Sequence, residues 1–168
     1  AASYPIVRGL RKQFGDRVKF VFREFPLETI HAFALSSAQA TECAGQQGKF
    51  WDMVDRTYDA KGDLKDESLE RYAVEVGVDK SRFHECLVSG ATLPQVRRDQ
   101  EDGRALGVRA TPTFFVGKRR IEGALTEYQF STMRLDDLQS AGMLKPRAAA
   151  PLAPVIAKPP AKDKKAPA

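Results

Sequence analysis

Cysteine is scarce in this chain: two in 168 residues, Cys43 and Cys86, far apart in sequence. That spacing excludes a C-x-x-C redox pair inside the chain. Histidine is equally rare, and nothing stands beside His31 or His84 at metal-ligand spacing, so capping or packing is the better role for both. No apolar run approaches the roughly 18 to 20 residues that a membrane-spanning helix needs. No charged stretch followed by an apolar one opens the chain, so no signal peptide is visible. The first residue is Ala1 rather than Met, which fits either a mature end left by cleavage or a truncation. No internal repeat is found. Positive charge is in excess by five, but most of that excess lies in Arg147, Lys158, Lys162, Lys164 and Lys165, against the single acid Asp163. The basic balance therefore describes a solvated tail, and it argues against a nucleic-acid-binding face.

What is present is enough for one domain with a core: 42% of residues are apolar. Ile6, Val7, Leu10 and Phe14 follow helical spacing, predicting a helix over Ser3 to Phe14 with Gly15 as its stop. Arg17 to Glu24, RVKFVFRE, alternates Val18, Phe20 and Phe22 with Lys19 and Arg23, which predicts a strand ended by Pro26. From Thr29 to Gly107 the pattern is helical throughout, with segments Thr29 to Gln47, Phe50 to Asp59, Asp66 to Val76, Asp79 to Val88 and Leu93 to Leu106. Gly103 weakens the last of these. Thr113 to Val116 and Arg119 to Glu122 read as strands joined by a hairpin-length turn at Gly117-Lys118, and Thr126 to Ser140 reads as a final helix. After Lys145 the composition turns to Ala, Pro and Lys, which cannot bury a core.

The stretch RATPTFFVGKRRIEG, Arg109 to Gly123, places a Thr-Pro just ahead of that strand pair. Together with RVKFVFREFPL, His31 and ECAGQQGKFWDM, it resembles the DsbA-like family of thioredoxin-fold disulfide oxidoreductases, from Ala1 to about Leu144. The resemblance implies an α/β, thioredoxin-like fold with an inserted helical subdomain and its first core strand missing. Residues 1–28 would be the first helix and strand of the core, 29–107 the helical insertion, 108–145 the rest of the core, and 146–168 an Ala/Pro/Lys tail. The family's C-x-x-C ends the strand before the first helix, and AASYPIVRGL looks like the sequence just after its second Cys. The resemblance thus implies that the reactive pair precedes Ala1, and that this chain alone carries no catalytic residue. In such a pair, a thiol at a helix N-terminus is favoured as thiolate and exchanges with substrate thiols. The resemblance also implies that the Thr111-Pro112 bond is cis. Thr111 and Pro112 would pair with an extended substrate segment by strand addition, Thr111 touching the sulfur of the mixed disulfide.

Cys43 and Cys86 both fall in predicted helices of the insertion. Either they form a structural disulfide, whose loop closure would add about 4 kcal/mol at most, or they are two separate buried thiols acting as small apolar residues. Asp66, Glu67 and Glu70 read as a solvated helix start rather than a carboxylate site. Phe50, Trp51 and Tyr58 read as helix core, and Phe114 and Phe115 as the two faces of a buried strand. No cofactor and no metal are implied. The partners implied are substrate proteins with thiols or disulfides, and a redox partner protein, in the periplasm or another extracytoplasmic space. Two other readings stand beside this one: a redox-dead thioredoxin-fold binding module, and a relative of the kappa-type glutathione transferase and chromene-carboxylate isomerase group. Losing the central strand would leave strand edges open, so the chain alone is expected to fold poorly or to associate.

Overall fold

The computed structural model describes residues 3–124. The expected helix Thr126 to Ser140 and the 146–168 tail lie outside the described residues.

Helix α1, Tyr4–Phe14, starts with Pro5 in its first turn, where a missing N–H costs nothing, and carries Arg11 and Lys12 at its negative end. Gly15, at φ +49°, stops it, its N–H donating to the Arg11 carbonyl. After a 3-10 turn over Gly15–Arg17 the chain runs extended. Val18 makes an isolated bridge, but residues 19–27 have no strand assignment, which corrects the expected Arg17 to Glu24 strand. A strand is a ladder, and 19–23 make no backbone hydrogen bond among the described residues. The side chains still alternate as in a strand: Phe20 and Phe22 turn partly inward and Glu24 is buried, while Lys19, Val21 and Arg23 are exposed.

Five helices follow: α2 (Ala34–Gly45), α3 (Phe50–Asp59), α4 (Asp66–Glu75), α5 (Lys80–Ser89) and α6 (Leu93–Ala105). Helix α2 begins later than expected, because Leu27 to Phe33 form turns closed by Ile30 and His31 N–H groups donating to the Leu27 carbonyl. Its small residues Ala38, Ala40, Thr41, Cys43 and Ala44 are buried, so α3, α4 and α5 approach it closely. The core forms where they meet: Met53, Leu69 and Phe83 are fully buried there, with Tyr72 and Val78 beside them. Helix α5 is capped at both ends. Asp79 accepts the Arg82 N–H at 2.8 Å, and Gly90 closes the last turn at φ +66°. A disulfide joins Cys43 in α2 to Cys86 in α5 through this core, so the bridge rather than the separate thiols is formed.

The hairpin is where the sequence puts it: β1 (Thr113–Val116) pairs antiparallel with β2 (Arg119–Glu122), Thr113 opposite Glu122 and Phe115 opposite Arg120. It is the only sheet among the described residues.

Candidate functional site

Helix α6 holds the extended segment and leads into the loop that carries Thr111 and Pro112. Its buried Asp99 accepts from Arg23 Nη1 at 2.8 Å, from the Glu24 backbone N–H at 3.1 Å and from Gln95 Nε2 at 2.9 Å. Gln100 Nε2 donates to the Pro26 carbonyl at 2.8 Å, and Arg97 pairs with Glu28. These bonds stand in for the ladder that the extended segment lacks. Gly103 lets it dock: a Cβ there would lie 2.7 Å from the Phe25 ring and 3.8 Å from Val108. Phe25, at the end of the extended segment, and Val108, at the start of the loop to β1, therefore meet against one helix residue.

That loop carries the candidate binding residues. Thr111 is exposed, Pro112 is half-buried, and the peptide bond between them is cis, as the resemblance implied. The Pro112 carbonyl accepts the Gly123 N–H at 2.9 Å, continuing the hairpin register by one step. The Thr113 hydroxyl donates to the Ala110 carbonyl at 2.7 Å and tightens the turn before β1. On the side away from β2, β1 has no strand partner among the described residues.

Other residues singled out in the sequence are placed elsewhere. Cys43 and Cys86 are both buried and bonded to each other, inside the helical core. His84 Nδ1 lies 2.6 Å from Glu70 Oε1 between α5 and α4, and His31 is exposed in the turn before α2. Asp66 and Glu67 lie exposed in the first turn of α4. Phe115 is 44% exposed, so only Phe114 faces inward. Phe50, Trp51 and Tyr58 do not join the helical core. Phe50 and Trp51 meet Phe22 edge-on, Arg11 lies 3.7 Å over the Trp51 ring, and Tyr58 stacks on Tyr4 at 3.9 Å. These aromatics join α3 to α1 and to the extended segment. Asp55 completes the joint, accepting from Tyr4 and from Arg8 and Arg11 at 3.2 Å each.

Two buried acids escaped sequence reasoning, Asp99 and Glu24. Glu24 is 8% exposed, and burial pushes its carboxyl up to about 8, with Glu42 and Asp99 adding to the rise. The Thr41 hydroxyl reaches both Glu24 Oε1 at 2.6 Å and the Ala38 carbonyl at 2.8 Å, one proton for two acceptors. The Thr41 bond to Glu24 works against the rise, and burial outweighs it. The only signal in the sequence was position: Glu24 continues the inward series Val18, Phe20, Phe22. Open clefts of about 510 Å³ and 370 Å³ flank Phe20 and Trp51, the first under Arg8 and Arg11, the second beside Glu42 and Asp99.

A Pro-led hairpin, an α6 that ties it to an extended segment, and a helical subdomain between them define a mixed α/β domain of the thioredoxin-like class. Comparison with known families agrees and is more specific. The chain belongs to the thioredoxin family, whose model, described as Thioredoxin, matches residues 6–136. Its relatives include the Na(+)/H(+) antiporter NhaA 1 of Mycolicibacterium vanbaalenii, 40% identical over 116 residues, or 68% of this chain and 19% of that protein. The Na(+)/H(+) antiporter NhaA of Herminiimonas arsenicoxydans is 40% identical over 115 residues, 68% of this chain and 18% of that protein. The Na(+)/H(+) antiporter NhaA 3 of Salinispora tropica is 35% identical over 119 residues, 71% of this chain and 18% of that protein. The chain thus spans about a fifth of the curated relatives it matches. No helix among the described residues is long and apolar enough to cross a membrane.

Proposed function

We propose that this domain performs thiol–disulfide exchange on protein substrates in the DsbA manner, with the reactive dithiol in the polypeptide just before Ala1. The observation that carries the reading is the cis Thr111-Pro112 bond with Thr111 exposed before it, in a chain of the thioredoxin family. An extended substrate segment would pair with the Thr111-Pro112 backbone by strand addition, and the reactive thiol would be favoured as thiolate at a helix N-terminus. A substrate thiolate attacks one sulfur of the domain's disulfide, breaking the S–S bond and forming a mixed disulfide. The second substrate thiolate then displaces the domain's sulfur. The substrate loses two electrons and two protons and gains a disulfide, and the domain's disulfide becomes two thiols. The buried Cys43–Cys86 bridge takes no part in the exchange. It supports work in an oxidising, extracytoplasmic compartment.

The intact protein, oxidised and mixed with a reduced two-cysteine peptide, is expected to convert that peptide to its disulfide. Thr111→Arg is expected to slow the conversion about tenfold or more. Absence of conversion by the intact protein overturns the reading.

A second reading is favoured by the bonded state of both cysteines: a binding module that keeps the Thr111-Pro112 edge and has no exchange chemistry. Peptide binding without any oxidation would select it. On either reading, the relatives' names suggest a domain that accompanies a membrane transporter.

A further inference from the structure

The end of α6 is closed by a side chain from β2. Helix carbonyls in a last turn need donors from outside the helix. The Gly107 N–H donates to the Arg104 carbonyl at 2.9 Å, and the Val108 N–H donates to the Gly103 carbonyl at 2.8 Å. Just past the helix end, the carbonyls of Leu106 and Gly107 accept from Arg120 Nη1 at 3.0 and 3.3 Å. The other arm of the same guanidinium, Nη2, lies 2.9 Å from Glu122 Oε1 on its own strand. Gly107 makes the approach possible in two ways. It adopts φ +76°, and a Cβ there would lie 2.7 Å from Arg120 Nη1.

We propose that Arg120 is the positioning residue of the Thr111-Pro112 loop: a strut from β2 to the end of α6 that fixes where the loop presents its binding edge. The loop is six residues long, from Gly107 to Pro112, and is tied at both ends. Arg120 holds the Gly107 end, and the Gly123 N–H holds the Pro112 carbonyl. With the strut in place, the hairpin and α6 cannot shift relative to each other without breaking both bonds of one rigid guanidinium. Lysine cannot replace it fully, because one ammonium does not span two carbonyls and a carboxylate in a fixed plane. The Arg120 side chain is 43% exposed, so water screens its charge and its role is geometric rather than a large share of global stability. What the loop binds rests on the function proposed above; the strut itself does not.

The test is amide hydrogen exchange of Gly107, Val108 and Gly123 in the intact protein, compared with Leu69 and Phe83 in the helical core. Arg120→Met keeps the stem and removes the fork. It is expected to speed exchange at the three loop amides at least tenfold and to leave the core amides unchanged. Arg120→Lys is expected to fall between, and Gly107→Ala to match Arg120→Met by pushing the guanidinium away. Loop amides unchanged in both Arg120→Met and Gly107→Ala, or core amides accelerated equally, overturn the proposal. Binding of a fluorescein-labelled Ala/Ser decapeptide, followed by anisotropy, is read in parallel. A tenfold weaker Kd in Arg120→Met supports the strut and the edge together. If no variant binds the peptide yet the loop amides respond as stated, the strut stands and the peptide-binding reading of the edge fails.

Discussion

Replacing Glu24 by Gln tests whether a carboxyl is held neutral beneath the extended segment. Glu24 meets Thr41 from α2, the Glu42 carboxylate from the same helix and Asp99 from α6, while its own N–H is held by Asp99. Two of those neighbours are acids, and burial strips water from the site, so the charged form is disfavoured and the pKa rises from 4.5 to about 8. The native state therefore binds a proton at Glu24 between about 4.5 and 8 that the unfolded chain has released. Stability from this group is full below 4.5 and is lost as pH rises through the folded value. Between those two values each step of one in pH removes about 1.4 kcal/mol, so wild type should lose on the order of 3–4 kcal/mol between pH 5.5 and 8.5 through Glu24. Gln cannot ionise and removes that loss, while contributions from Glu42 remain in both proteins. Urea unfolding at pH 5.5 and 8.5 measures the difference. Glu24→Gln should be close to wild type at pH 5.5 and more stable at pH 8.5. Equal pH dependence in the two proteins refutes the reasoning.

Other outcomes follow from single contacts. Gly103→Ala should gain about 1 kcal/mol of helix propensity. It should lose more by pressing on the Phe25 ring, where overpacking costs about 1–3 kcal/mol, and chemical denaturation would show a net loss. The double variant Cys43→Ala/Cys86→Ala should lose about 2–5 kcal/mol, and the native protein should show no reactive thiol until it is reduced. Asp55→Asn removes the charge that Arg8 and Arg11 share, and one of the two carboxylate oxygens, at a cost of about 1–2 kcal/mol. Because Arg11 covers the single tryptophan, the fluorescence of Trp51 should change with it, and an unchanged spectrum would show that α1 is held some other way.

Local features were legible in the sequence, and features that depend on distant pairs were not. Gly15, Asp79 and Gly90 act as stops and caps because their chemistry is local, and the hairpin bounds follow from the turn at Gly117. The Val18, Phe20, Phe22 alternation correctly sorted inward from outward positions. It did not make a strand, since a ladder needs a partner that local sequence does not supply. Gly103 looked like a weak point in a helix and is instead the seat of Phe25, far away in sequence. Asp99 looked like one charge among many on α6, yet it is buried and holds Arg23 and Glu24. Glu24 and Asp55 were missed for the same reason: their neighbours come from other elements. At the candidate site, the motif pointed to Thr111 and Pro112, whereas the bonds from Arg120 to the Leu106 and Gly107 carbonyls were hidden in what reads as an ordinary exposed strand residue.

The central claim is that this domain belongs to a disulfide-exchange protein whose reactive pair lies just before Ala1. Reading the coding sequence immediately upstream of Ala1 tests it most directly. An apolar strand ending in C-x-x-C and abutting AASYP is the predicted result. An upstream sequence with no thiol pair would contradict it and would favour the reading of a binding module without exchange chemistry.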